Sequence, residues 1–475
     1  MRKNLSKGTL PQWVNVEKKD NRVLFKAWPY RSVLLSAWEF LRRQGVLWVY
    51  PGPYGDYVPE GKGVDLSLLP LTYTPSATYN KANFDTSIFG KQDPLSNSYL
   101  YWWRNGYNDS WSGAFNKIFG SQELPEDPLA PLGAEKRKEL YREGFDGYPH
   151  NMNSVIPDRL LKQHRDWCGM YKYSTSISSQ EKSKHEDIPI GKRLPPSEGG
   201  PAICLSSSGA MSFVEEKAVH IAGSPKSETT FWVLPMDASR FCACDNCLNQ
   251  YRVLTEPRLE WVALGNTSVS NTYFSFVAEV AQQVGKLCPG VTIASLAYAN
   301  VNAPPDGIEK MPENVLVEIC QYASTNLPMD APVNAAMKTR MLKWNAKCRN
   351  LRRYEYALLN EKSSKNAMMP LPLMGGIIDH AKFMASLNAL NGGTQADLES
   401  IPYQPWNHYA FPRIAWNVEL SKDQIYEEFF QGYFQEAKEA MKAFYRTLED
   451  YHLANEINLH GTNNYRSDLV PGAFP

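Results

Sequence analysis

Two kinds of reactive side chain stand close together in Thr229–Gln250, which reads TTFWVLPMDASRFCACDNCLNQ. Phe231–Pro235 is an apolar run of the length and make-up of a buried parallel strand, and Asp237 follows at its expected carboxyl end. Strand ends are rigid while the loops beyond them vary, so α/β folds carry chemistry there. The same position suits an ordinary turn residue or helix cap. Next comes Cys242-Ala-Cys244-Asp-Asn-Cys247. These thiols fit a disulfide plus one free thiol, three reduced core thiols, or three ligands of a structural zinc with Cys204 or Cys320 as the fourth. CxCxxC without a second CxxC pair does not choose among them.

Glu355, Glu361 and Glu399 also fall at or near the ends of predicted strands. With Asp237 they are the candidates for a pair of carboxyl groups, one protonated and one ionised. For Glu355, strand alternation offers the opposite reading, with the side chain turned outward into a helical layer. Tyr298 follows directly on a strand and is either a hydrogen-bonding group or a core tyrosine. His150, after Gly147, and His164, in a predicted helix over 157–167, are candidate polar contacts as well as ordinary loop and helix-surface histidines.

Composition narrows the partners. Fifty basic residues balance fifty acidic ones, so neither nucleic acid nor an anionic membrane is indicated. The 13 Trp and 26 Tyr supply flat apolar faces with a polar handle, which pack cores and also suit stacking on sugar rings. No run of 18 apolar residues exists to span a membrane. Met1-Arg-Lys-Asn-Leu is basic but leads into no apolar segment, so no secretory signal is expected.

The elements that must position these residues follow from periodicity. Val33–Gln44 reads as a helix stopped by Gly45, and Val46–Tyr50 as a strand. From Asn271 onward helices and strands alternate. Helices are expected over Tyr273–Cys288, Asn334–Leu351 and Ile377–Leu390, and strands over Val291–Ala297, Val315–Cys320, Tyr354–Leu359 and Gly392–Leu398. Such alternation implies a parallel sheet covered by helices, here an α/β (β/α)8 TIM barrel. Lys422–Tyr451 reads as one long amphipathic helix. The expected domains are a small, truncated α/β domain over 1–70, the barrel over 71–415 and a helical extension over 416–475.

Several stretches together resemble the bacterial domain-of-unknown-function 4838 proteins, part of which form glycoside hydrolase family 163. They are FLRRQGVLWVYPG (40–52), Gly147-x-x-His150 with His164, Ala202-Ile-Cys204-Leu-Ser, PMDASRFCACDNC, NTYFSFVAEVA, SLAYANVNAPP, Tyr354-Glu355-Tyr356, NGGTQADLES and IAWN. The resemblance implies a TIM barrel preceded by a small domain of the α-glucuronidase kind, a periplasmic or secreted location and a glycan substrate. Characterised members of family 163 look like endo-β-N-acetylglucosaminidases. Glu399 matches the acidic position after the family's Asn-Gly pair, here Asn391-Gly392. This sequence departs from the pattern in a shortened N-terminal domain and in divergent stretches at 106–146 and 170–200.

Glycosidic cleavage needs two carboxyl groups flanking the bond, unless the substrate's own acetamide oxygen is the nucleophile. Asp237 and Glu399 lead the candidates, followed by Glu355 and Glu361. Tyr298, His150, Trp406, His408, Trp103 and Tyr356 are the candidate substrate contacts. Catalysis requires no cofactor in this reading, and zinc enters only as a structural ion at Cys242, Cys244 and Cys247. An α-glucuronidase-like or other polysaccharide hydrolase is the nearest alternative. A non-catalytic carbohydrate-binding barrel and a zinc-dependent hydrolase are readings from other classes.

Overall fold

The computed structural model describes residues 13–28, 33–61, 63–77, 80–84, 101, 104–105, 151–153, 155–170, 191–198, 200–222, 230–236, 241–253, 267–321, 323–358, 370–396 and 401–457. The chain divides into two units, one formed by residues 9–123, 321–338 and 353–475, the other by residues 1–8, 124–320 and 339–352.

In the first unit, alternation in WVNVEKK places Val14 and Val16 on one side of strand β1 (Trp13–Lys19). Asp20, at φ 54°, turns the chain into β2 (Arg22–Trp28), which pairs antiparallel with β1. This hairpin is absent from the sequence reading. The sheet order is β2-β1-β5, with β5 at Leu71–Tyr73. Helix α1 (Val33–Arg43) lays Leu35 and Phe40 on it, meeting Val14 and Val16. Gly45 ends α1 at φ 93°, and the Val46 amide donates to the Leu41 carbonyl. Of the strand expected over Val46–Tyr50, Leu47–Trp48 (β3) is extended and pairs with β4 (Asp56–Tyr57).

The same unit holds three parallel strands in the order β6-β13-β12: Asn80–Phe84, Gly392–Ala396 and, of Asn350–Leu358, residues 353–358. Helices Met374–Ser386 and Pro405–Trp416 build the core beside them through Ile378, Tyr409, Phe411 and Ile414. The long helix expected over Lys422–Tyr451 is instead two helices, Lys422–Phe434 and Lys438–Ala454, broken where Gln435 takes φ 47°. Folding back buries more aromatic surface than one stripe can. Phe429, Phe430 and Phe434 occupy two faces, and the return helix brings the Tyr445 ring to 5.6 Å from those of Phe430 and Tyr426. Tyr426 donates to Glu449 at 2.7 Å across the pair.

In the second unit, β7 (Thr230–Trp232), β10 (Thr292–Ala297) and β11 (Val315–Cys320) form a parallel set in the order β7-β10-β11, and β8 (Arg252–Val253) pairs antiparallel with β9 (Thr267–Ser268). The covering helix Ser270–Leu287 buries Phe276, Val277, Val280, Ala281 and Val284, as its periodicity predicts. Leu287, expected on that stripe, sits at the helix end and is 69% exposed. The helix expected to reach Leu351 stops at Lys347, because Leu351 is drawn into β12.

The fold is therefore mixed α/β, with parallel strands covered by helices. Among the described residues each unit supplies three barrel-type strands, so the expected eight-stranded closure is not observed. Part of the stretch before β7 that would carry further strands lies outside the described residues. Among the described residues no helix is long and apolar enough to cross a membrane.

Candidate functional site

Asp237, Glu361, Glu399, His150 and Trp103 lie outside the described residues. The strand ends that lead to them are on view. Beyond β7 the chain runs through Val233, Leu234 and Met236, all buried, straight into Asp237. The Val233 amide donates to the Ala294 carbonyl at 2.8 Å, extending the ladder toward β10. Asn151, which follows His150 in the chain, clamps this run from the side. Its Nδ2 donates to the Trp232 carbonyl at 2.7 Å, and its Oδ1 accepts from the Leu234 amide at 2.8 Å. Bonding on both sides of one segment fixes it far better than packing alone.

Two further buried residues tie the carboxyl ends of this sheet together. The Tyr273 hydroxyl lies 2.9 Å from the Val233 carbonyl oxygen and 2.7 Å from Ser295 Oγ, joining β7 to β10. Burial holds that phenol well above its ordinary range, so it stays a neutral donor. Asn302 Nδ2 donates to the carbonyls of Ala297 and Cys320 at 3.2 and 3.1 Å, joining β10 to β11. Arg340 donates to Asn302 Oδ1, and Trp344 Nε1 donates to the Asn302 carbonyl at 2.7 Å. Tyr298 emerges half-buried from this braced edge, before the turn Ala299–Val301.

Sequence reasoning missed Asn151, Tyr273, Asn302 and Glu318. Glu318 is 2% exposed in β11 and opposite Leu296 in register. Ser295 turns toward the covering helix through Tyr273, so Leu296 and Glu318 face the other side of the sheet. A carboxylate within the run VLVEIC was the available signal.

In the first unit, the outward reading of Glu355 is the one observed. Arg353 Nη1 donates to Glu355 Oε1 at 2.8 Å, and both side chains are buried. The guanidinium lies 4.5 Å from the Phe411 ring centroid, on the helix-covered side, and its Nε donates to the Leu390 carbonyl. Proton transfer by Glu355 would first have to break this pair. Tyr356 points the opposite way from Glu355, with its ring 5.3 Å from that of Tyr354. Trp406 and His408 belong to the wholly buried helix Pro405–Trp416. Trp406 Nε1 donates to the Leu371 carbonyl at 2.7 Å, and its ring borders an apolar pocket of about 390 Å³ with Tyr403, Tyr433 and Phe444. Burial pushes the His408 imidazole down to about 3, so it is neutral. His164 is exposed and stacks on Trp167 at 4.1 Å.

The three thiols of CxCxxC meet a fourth in the second unit. Cys204, Cys242, Cys244 and Cys247 are all buried, with their sulfurs within 4.8 Å of one another, while Cys320 closes β11. A bridge between Cys168 and Ile203 carries Cys204 to the cluster, and a one-turn helix, Asp245–Leu248, presents Cys247. The Met170 amide donates to Cys242 Sγ at 3.2 Å, Cys247 Sγ donates to Ser206 Oγ at 3.3 Å, and Ser206 Oγ lies 3.3 Å from Cys204 Sγ. Hydrogen bonds from the Cys242 and Cys247 thiols hold Cys204 below the ordinary thiol range, and the same bonds push those two up. Four buried donors of this kind fit a soft divalent cation held entirely by sulfur.

This chain is similar to the family 89 glycoside hydrolase from Clostridium perfringens, solved in complex with PUGNAc. The identity is 12% and the TM-score 0.43, over 91% of this chain and 48% of that one. It is also similar to a family GH115 4-O-methyl-alpha-glucuronidase with specificity for decorated arabinogalactans, at 12% identity and TM-score 0.43, over 92% of this chain and 52% of that one. The chain spans about half the length of these structures. No curated protein matches the sequence. Residues 183–446, more than half of the length, match the domain of unknown function DUF4838, and the chain belongs to that family.

Proposed function

We propose that the protein is a glycoside hydrolase acting on a complex glycan, in the manner of an endo-β-N-acetylglucosaminidase, on a (β/α)8-type catalytic barrel. One observation carries the reading. β7 and β10 are parallel, with carboxyl ends braced by Asn151, Tyr273 and Asn302, and the chain continues from them into Asp237 and Tyr298. β13, parallel to β12, continues into Glu399. Acids that leave parallel strands at their carboxyl ends are what glycosidic chemistry on such a scaffold requires. The resemblance of PMDASRFCACDNC and NGGTQADLES to the glycosidase members of the family supports the same residues.

In this reading one of Asp237 and Glu399 protonates the leaving oxygen, and the other stabilises charge developing on the sugar. Where the substrate carries an N-acetyl group, its carbonyl oxygen serves as the nucleophile and Tyr298 orients the acetamide. The donor must be protonated near neutral pH, so apolar walls or a neighbouring carboxylate must raise its pKa.

The test is digestion of a glycan panel with mass-spectrometric readout, spanning N-glycans and oligosaccharides bearing uronic acids. Release of glycans cut within the chitobiose core supports the reading. Release of uronic acid alone would replace it with the glucuronidase alternative, and no cleavage of any member would overturn it.

A further inference from the structure

We propose that Cys204, Cys242, Cys244 and Cys247 bind one structural zinc ion as a closed four-thiolate site. The first argument is geometric. Zinc–thiolate bonds of about 2.3 Å in a tetrahedron place sulfurs about 3.8 Å apart. Cys204 Sγ and Cys244 Sγ are 3.8 Å apart, and all four sulfurs lie within 4.8 Å of one another. A disulfide needs its sulfurs at about 2.05 Å, and none of the four cysteines is in one. A cluster of several irons needs ligand sulfurs spread around a body much larger than this space.

The second argument is chemical. Cysteines that merely fill a core behave as small hydrophobes and do not collect donors. Here the Met170 amide donates to Cys242 Sγ, Ser206 Oγ lies 3.3 Å from both Cys204 Sγ and Cys247 Sγ, and the Arg193 guanidinium acts on Cys204 through its charge. Zinc with four thiolates carries two net negative charges, and N–H and O–H groups turned to the sulfurs, with one guanidinium, offset them. Arg193 is itself fixed by donating to the Cys168 carbonyl at 2.8 Å.

The third argument is placement. The ligands join Cys204 to the loop 241–251, which follows Asp237 in the chain. With four protein ligands no position stays open for water, so the ion is a staple and not a hydrolytic centre. It holds the far end of the segment whose near end is clamped by Asn151.

The test begins with metal analysis of the full-length protein folded with zinc in excess. About one zinc per chain is expected, released by an organomercurial in step with loss of the four thiols. Replacement by Co(II) should give the thiolate charge-transfer and d–d bands of a tetrahedral all-sulfur site. Cys204→Ser should lower retained zinc severalfold, while Cys288→Ser, half-buried elsewhere, should leave it at the wild-type level. Where Cys204→Ser does not fold, the mercurial titration and the Co(II) spectrum of the wild-type chain decide. Substoichiometric zinc with freely reacting thiols, stoichiometric iron in its place, or a cobalt spectrum with oxygen or nitrogen ligands would overturn the proposal.

Discussion

Arg353 and Glu355, two residues apart on one strand, form a buried ion pair at 2.8 Å that is roofed by the ring of Phe411. Removing one partner of such a pair leaves the other charged and desolvated, at a cost of about 3–5 kcal/mol. Glu355→Gln should therefore lower the unfolding free energy by about that amount. The fraction that still folds should keep its turnover. Denaturant titration with parallel activity assays checks this, and loss of turnover at unchanged stability would restore Glu355 as a catalytic acid.

Asp237→Asn and Glu399→Gln keep shape while removing the acid. Each should reduce turnover by about 10²–10⁴-fold with little change in melting temperature. The donor variant should retain more activity on aryl glycosides than on natural glycans, because a good leaving group needs less protonation. If both variants keep parental turnover, Glu361 and Glu318 become the residues to test.

Tyr273→Phe removes the hydroxyl between the ends of β7 and β10. Leaving Ser295 and the Val233 carbonyl short of a partner should cost about 1–3 kcal/mol. Since Val233 lies on the run toward Asp237, kcat should fall while KM stays nearly constant. Steady-state kinetics beside thermal unfolding separates this from simple destabilisation.

His408 is neutral in the folded chain, its imidazole pushed down by burial to about 3 from an ordinary 6.5. The depressed value means that its contribution to stability is fully present above about pH 6.5 and is lost as pH falls toward 3. Between these limits the unfolded chain binds the extra proton, so stability should fall by about 1.4 kcal/mol per pH unit from this residue. His380, lowered by burial in the same direction, adds to the slope. Chemical denaturation at pH 7, 6 and 5 measures it, and His408→Leu should flatten it.

Local pattern carried much of the architecture. Val315–Cys320 is a strand within the limits its apolar run predicts, and the stripe of Ser270–Leu287 is buried except at Leu287. The reason is that periods of two and 3.6 residues are properties of neighbouring positions, whatever they later pack against. The CxCxxC loop was visible as three clustered thiols open to a fourth.

Tertiary structure alone decided what depends on residues distant in sequence. It selected Cys204 over Cys320 as the fourth thiol, through the pairing of Cys168 with Ile203. It turned Glu355 toward Arg353 and Phe411, buried Trp406 and His408 in an interior helix, and folded Lys422–Ala454 back on itself. A polar side chain's role is set by which groups surround it, and an amphipathic helix breaks when two partners bury more surface than one. Neither quantity exists in a stretch of sequence before the chain has packed.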